Sequence, residues 1–380
     1  MFSRRLRWPL ERNEYSRLLA ARRTAGLEIL DLTESNPTRA GIAYPPAILS
    51  ALGDPRGLTY EPDPWGLPHA RAAVAALEGT APGRVMLTAS TSESYAYLFK
   101  LLCNPGDRVL VPRPSYPLFE FLARLENVEV APYSLRYRER WEMDFDSLRE
   151  RLTPRTRAIL LVNPNNPTGS YVRPGEIEQL GRLCSQHDLA VVSDEVFHAY
   201  AIGGAARTAW EPVAAAALVV RLNGLSKLAG LPQMKAGWMV LDGPPELLRE
   251  ASDRLELIAD TYLSVSAPVQ HALPQLLRLG DDTRRRILDR VRENLRFLRG
   301  VCRPLPVEGG WYAILQLPEG LDEHALVLDL LGQDGVLTQP GYFYDFETDG
   351  FLVLSLLTQP AEFREGIARL LRRLSRMRPA

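Results

Sequence analysis

Lysine is nearly missing from this chain. Of its 380 residues 45 are basic, yet the lysines are Lys100, Lys227 and Lys235, and the other 42 are arginines. Arginine supplies charge but does not readily deprotonate, so chemistry that needs a side-chain amine has three positions to choose from. Cysteine is as scarce. Cys103, Cys184 and Cys302 are far apart and odd in number, which excludes a CxxC pair and a disulfide framework and makes a reducing compartment the expectation. Net charge is nearly absent as well, at a formal -1, which argues against a dedicated nucleic-acid binder with its strongly basic face. The apolar stretches, such as AAAALVV at 214–220, are too short to cross a bilayer. The opening MFSRRLRWPLERNEY lacks the apolar segment of a secretory signal. A soluble, cytoplasmic protein is expected, with no nucleic-acid or membrane partner.

What is present is the composition of a globular chain, 46% hydrophobic and 24% charged, long enough for a large core divided between two domains. The residue rhythm predicts strands at 85–87, 108–111, 128–132, 158–162, 190–193 and 217–221. Helices are predicted at 93–103, 117–125, 146–152, 174–187 and about 199–215 between them. A further, antiparallel strand is placed at 236–241. Such alternation means an α/β fold whose mostly parallel sheet is covered by helices on both faces. From about Pro245 the texture changes: helices at 246–260 and 266–297, the second interrupted or bent around Gly280, then short strands at 312–316 and 351–356 and helices at 322–332 and 361–376. That pattern reads as a smaller α+β domain. The division expected is an N-terminal arm (1–45) packing with the small domain, a large domain (46–280) and a small C-terminal domain (281–380).

In open α/β sheets ligands bind beyond the carboxyl ends of the strands. The polar clusters fall there: Ser90-Thr91-Ser92, Pro114-Ser115-Tyr116, Asn163 to Gly169, Asp194-Glu195 and Ser226-Lys227. With NPNNPTG (163–169), SDEVFHAY (193–200) and LSKLAGLPQMKAGW (225–238) in this order, each after a strand, the chain resembles the fold-type I pyridoxal-phosphate enzymes of the class I/II aminotransferase superfamily. The resemblance runs from Asn36-Pro37-Thr38 into the C-terminal domain.

The resemblance implies a pyridoxal 5'-phosphate cofactor and a role for each motif. Lys227 matches the lysine that forms the Schiff base and carries the proton; a lysine is ordinarily a solvated surface group, but here lysine is rare and this one follows a strand. Asp194, which by position would also serve as a helix N-cap, matches the carboxylate that keeps the pyridine nitrogen protonated. Glu195 reads as structural support. Asn166 matches the asparagine that binds the ring's phenolic oxygen, with Asn163 shaping the loop, and Tyr116 the aromatic residue that stacks on the ring. Ser90, Thr91 and Ser92 precede a helix and correspond to the phosphate turn. Ser226 adds a hydroxyl, and Lys235 stands where an arginine usually binds phosphate. Tyr60 resembles the tyrosine that reaches the neighbouring subunit's phosphate, which implies a homodimer.

Several positions depart from the family pattern. Gly224 replaces a serine. Phe197 stands where a tyrosine is usual, removing one hydrogen bond to the phenolic oxygen. Val353, in Leu352-Val353-Leu354-Ser355, takes the place of the arginine that clamps the substrate carboxylate, so either another group binds the carboxylate or the substrate does not present it there. The loop Thr338 to Tyr344, with Trp311 and Tyr312, offers an aromatic lining suited to an apolar or aromatic substrate. His198 reads as support for the cofactor loop, and His187 and His271 have no metal-ligand spacing, so no metal is expected. The implied activity is an aminotransferase (EC 2.6.1.-) moving an amino group from an amino acid to a 2-oxo acid; the alternative is a carbon–sulfur β-lyase using the same cofactor.

Overall fold

A computed structural model describes residues 1–203 and 208–377. Its central sheet contains β1 (Val85–Thr88), β2 (Arg108–Arg113), β3 (Glu129–Arg138), β4 (Arg140–Met143), β5 (Thr156–Val162), β6 (Ala190–Asp194), β7 (Val219–Gly224) and β8 (Gly237–Asp242). Their spatial order is β1-β8-β7-β6-β5-β2-β3-β4. The pairs from β7 through β6, β5 and β2 to β3 are parallel, whereas β8 runs antiparallel to both β7 and β1. Two reversals cancel, so β1 points the same way as β7, and its carboxyl end joins the others along one edge.

The strands are apolar on both faces because both faces are covered. On β5, Ala158, Leu160 and Val162 join one core with helices α3 (Thr91–Leu102), α4 (Leu118–Leu125) and α7 (Pro245–Asp260). Ile159 and Leu161 turn the other way, against Leu180 and Leu183 of α5 (Pro174–His187). Each such fully buried Leu or Ile contributes roughly 1.5–3 kcal/mol through area removed from water.

Helix α8 (Ala267–Val301) joins the two halves. Its first turns, through Val269, Leu273 and Leu276, pack on α2 (Pro68–Glu78) and the face of β8 that carries Trp238; its last turns, through Val291, Leu295 and Leu298, belong to the C-terminal core. The helix runs through Gly280 without the interruption expected there. Glycine is needed there for close packing, since a Cβ would lie 2.4 Å from that of Ala229. The C-terminal part carries β9 (Tyr312–Gln316), β10 (Gln339–Pro340) and β11 (Phe351–Ser355), with β11 in the middle and antiparallel to both neighbours. Helices α9 (Glu323–Asp329) and α10 (Pro360–Met377) complete it. The N-terminal helix α1 (Glu14–Thr24) is tied to it by Tyr15, whose hydroxyl donates to the Thr338 carbonyl at 2.5 Å. The residues ahead of α1 lie elsewhere: Trp8 sits against Phe121 of α4.

The helix expected at about 199–215 is shorter. Among its described residues Glu211–Ala214 is helical, while Ala201 forms a strand-like bridge to Gly309; Gly204 to Arg207 lie outside the described residues. Gly203, beside Gly204 in the sequence, disfavours a continuous helix. The hairpin partner β4 was not anticipated; exposed Arg140 and half-buried Glu142 alternate with buried Trp141 and Met143 and leave it no apolar run. Among the described residues no helix is long and apolar enough to cross a membrane.

Candidate active site

The carboxyl ends of β1, β2, β5, β6 and β7 open into a cavity of about 320 Å³. Ser90, Thr91, Ser92, Tyr116, Asn166, Asp194, Phe197, Ser226, Lys227 and Lys235 all line it. Tyr60 does not: it is 76% exposed beside a separate cleft with Ser264 and Gln270.

Ser90 caps α3 by accepting from the Glu93 N–H at 3.2 Å, and Glu93 reaches back to the Ala89 N–H at 2.7 Å. This reciprocal cap occupies the Ser90 hydroxyl and fixes the start of a twelve-residue helix, whose Thr91 and Ser92 line the cavity. Strand β8 passes so close that a Cβ on Gly237 would lie 3.2 Å from Ser90 and Thr91 backbone atoms. Gly224 has a similar cause: a Cβ there would meet the Ala236 carbonyl oxygen at 2.9 Å. The expected hydroxyl is missing from that position because the strands leave no room for it.

Asn163 and Asn165 hold the loop after β5. Asn163 accepts from the Val172 N–H at 3.1 Å and donates to Thr208 Oγ1 at 2.7 Å; Asn165 donates to the Pro114 carbonyl at 3.1 Å. Asn166 is different. It is 6% exposed, and its buried Oδ1 has no hydrogen-bond partner. Buried polar atoms are rarely left so.

Asp194 ends β6. Its Oδ1 accepts from the Val196 N–H at 3.2 Å and its Oδ2 from the Tyr95 hydroxyl at 3.1 Å. Burial raises its carboxyl to about 6, opposed by those two bonds and by the charge of Lys227. Lys227 stands on the short helix α6 (Leu225–Leu228), its carbonyl accepting from the Tyr200 hydroxyl at 2.6 Å. Its Nζ lies 5.1 Å from the Trp311 ring centre and 5.7 Å from that of Phe197. Burial lowers the amine's pKa, with Asp194 pulling the other way. The site therefore holds an amine biased toward its neutral, nucleophilic form. Glu195 faces away, accepting from Trp210 Nε1 at 2.7 Å and Ser193 Oγ at 3.2 Å, with Arg221 at 3.9 Å. The ring of His198 packs edge-on against Tyr171.

Val353 is fully buried, in register with Ile314 on one side and Gln339 on the other. It shares its sheet face with Tyr312, which lines the cavity. Two other polar lining residues escaped the sequence reading, Ser35 and Tyr95. Tyr95 carried a signal: it lies four residues after Thr91, on the same helix face. Ser35 had none, because a non-local fold brings it here.

Comparison with known proteins agrees with this geometry. Residues 28–370 match the family described as aminotransferase class I and II, and the chain belongs to that family. It is 30% identical over 260 residues to glutamate-pyruvate aminotransferase AlaA of Escherichia coli K12, a match covering 66% of this chain and 64% of that one. The matched segment thus falls just short of two thirds of that relative's length. It is 29% identical to the alanine aminotransferase of Mycobacterium tuberculosis H37Rv, over 91% of this chain and 85% of the other. Among solved structures, alanine aminotransferase from Pyrococcus furiosus superposes with a TM-score of 0.88 at 23% identity, covering 99% of this chain and 100% of that one. The family depends on pyridoxal phosphate. The cavity suits that group: a capped helix start and a glycine-lined approach for a phosphate, an unpartnered Asn166 oxygen, and a buried amine beside a carboxylate.

Proposed function

We propose that the protein is a pyridoxal-phosphate-dependent aminotransferase (EC 2.6.1.-), moving the amino group of an amino acid with an apolar or aromatic side chain to a 2-oxo acid. The observation that carries this reading is the buried Lys227 amine, electrostatically coupled to Asp194 in one cavity with the start of α3. The names of the relatives, alanine and glutamate-pyruvate aminotransferases, support the reaction class.

When bound, the cofactor supplies an aldehyde that condenses with primary amines and a protonated ring that draws electrons from the substrate Cα. The first N–H groups of α3, with Thr91, Ser92, Ser226 and Lys235, would hold its phosphate. Tyr116 would cover the ring, and Asn166 would bind its phenolic oxygen. Asp194 would hold the proton at the ring nitrogen. Lys227 would take the substrate Cα proton at Nζ and deliver it to the cofactor's former aldehyde carbon, two atoms away across the shared nitrogen. Tyr312, with Trp311 and Phe197 behind it, supports an apolar or aromatic substrate side chain.

We infer a cytoplasmic homodimer, supported by three free cysteines and by the exposure of Tyr60 outside its own cavity. The test follows the cofactor's absorbance through each half-reaction with a panel of amino acids and 2-oxo acids. Reversible interconversion driven by an amino acid and then an oxo acid is expected. Release of ammonia and pyruvate with no acceptor present would instead identify the carbon–sulfur lyase.

A further inference from the structure

We propose that Tyr95 is a positioning residue for the cofactor's ring nitrogen, fixing the Asp194 carboxylate in the one orientation that faces the cavity. The inference rests on the reading of Asp194 as the partner of that nitrogen. Tyr95 sits one turn into α3, and both it and Asp194 line the cavity. Its hydroxyl takes one carboxylate oxygen at 3.1 Å while the Val196 N–H takes the other at 3.2 Å. A carboxylate has about four acceptor sites, so two bonds that pin both oxygens still leave lone pairs for a ring N–H.

Tyr95 is itself fixed. It is 2% exposed, with Phe119 edge-on at 5.4 Å and Phe99 at 6.1 Å between ring centres. Burial and the neighbouring Asp194 charge raise its phenol far above the ordinary value. It therefore stays protonated and acts as a donor to this carboxylate. The residue on the loop after Asp194, Phe197, brings a ring with no hydroxyl. A donor on Asp194 favours the ionised form, so the ring-nitrogen proton is held by a carboxylate that is well oriented yet less basic than burial alone would make it.

Tyr95→Phe removes the hydroxyl and keeps the ring that packs on Phe119, which protects the fold. In the cofactor-free protein, the Asp194 carboxyl followed by ¹³C NMR should titrate at higher pH in this variant than in the wild type. Affinity for added pyridoxal phosphate, read by fluorescence quenching, should fall about tenfold, the loss expected for one hydrogen bond to a charged group. In an Asp194→Asn background, the same Tyr95 substitution should leave affinity within about twofold, whereas a merely structural role would lower it in both. Unchanged Asp194 titration and affinity in Tyr95→Phe, with Asp194→Ala still losing the cofactor, would overturn the inference alone. Normal cofactor affinity in Asp194→Ala would overturn the reading beneath it, and the inference with it.

Discussion

One wall of the cavity comes from loops that leave the strand ends, carrying Ser90 to Ser92, Asn166, Asp194, Ser226 and Lys227; the facing wall comes from Ser35 of the N-terminal segment and Tyr312 of β9. The first wall is polar and charged, with its side chains held by caps and loop hydrogen bonds. The second offers hydroxyls in front of an apolar core, with Val353 buried behind Tyr312 on the same sheet face. A wall that binds a fixed cofactor must place charges at set points. Under the proposed function the second wall meets the substrate, and such a wall is free to exchange charge for shape.

The comparison breaks first at Lys227, which under the proposed mechanism serves both walls as the group that moves the proton. Lys227→Ala should lower turnover by more than about four orders of magnitude, while cofactor affinity measured on the purified protein falls far less. A variant that keeps normal turnover would show that the amine is not part of the chemistry.

The facing wall is tested by Val353→Arg. If that wall is a sealed apolar layer, a guanidinium has neither room nor partner there. The fold should lose about 3–5 kcal/mol, read from urea unfolding. A variant of unchanged stability that binds amino acids more tightly would mean that the layer opens into a carboxylate clamp, and the contrast between the walls would vanish.

Legibility in the sequence follows the same division. The strands of the large sheet were readable because burial on both faces gives unbroken apolar runs such as Ala158 to Val162. Asp194, Asn166 and Lys227 were readable because each lies a few residues from a strand end, so local order in the chain maps onto position in the site. Ser35 reaches the cavity through the backbone, where its neighbour Glu34 accepts from Ser355 Oγ at 2.6 Å across more than three hundred residues. No local pattern encodes that. The reason for Gly224 was hidden too, because it depends on how near β8 passes. The helix expected through 199–215 shows the opposite error: an apolar, alanine-rich sequence favours a helix, yet Ala201 bridges to Gly309 and Trp210 is buried just ahead of the short helix Glu211–Ala214.

A smaller effect tests the electrostatics of the polar wall. The Asp194 carboxyl titrates near 6 when folded, above its ordinary value, so the cofactor-free native state holds this proton more tightly than the unfolded chain does. The sign follows: its contribution to stability is complete below pH about 4 and is lost as pH rises through 6, by about 3 kcal/mol in all. The wild type should therefore lose stability relative to Asp194→Asn across that window. Equal pH dependence of the two proteins would mean that the carboxylate is better solvated than its burial implies.

The smallest effect separates binding from folding at Lys235. This exposed residue lines the cavity, and its backbone lies in the left-handed region at φ 50°. A side chain with a Cβ is disfavoured there by roughly 1 kcal/mol, and glycine is not. Lys235→Gly should therefore leave the cofactor-free fold as stable as the wild type or up to about 1 kcal/mol more so, yet weaken the cofactor by removing a cation from the phosphate side. Lys235→Arg keeps both the charge and the strain, so its stability should match the wild type and its cofactor affinity should stay within about tenfold. Cofactor affinity and thermal midpoint, measured on both variants, decide the matter. Affinity that is unchanged in Lys235→Gly would remove this amine from the polar wall and leave the start of α3 to hold the phosphate without it.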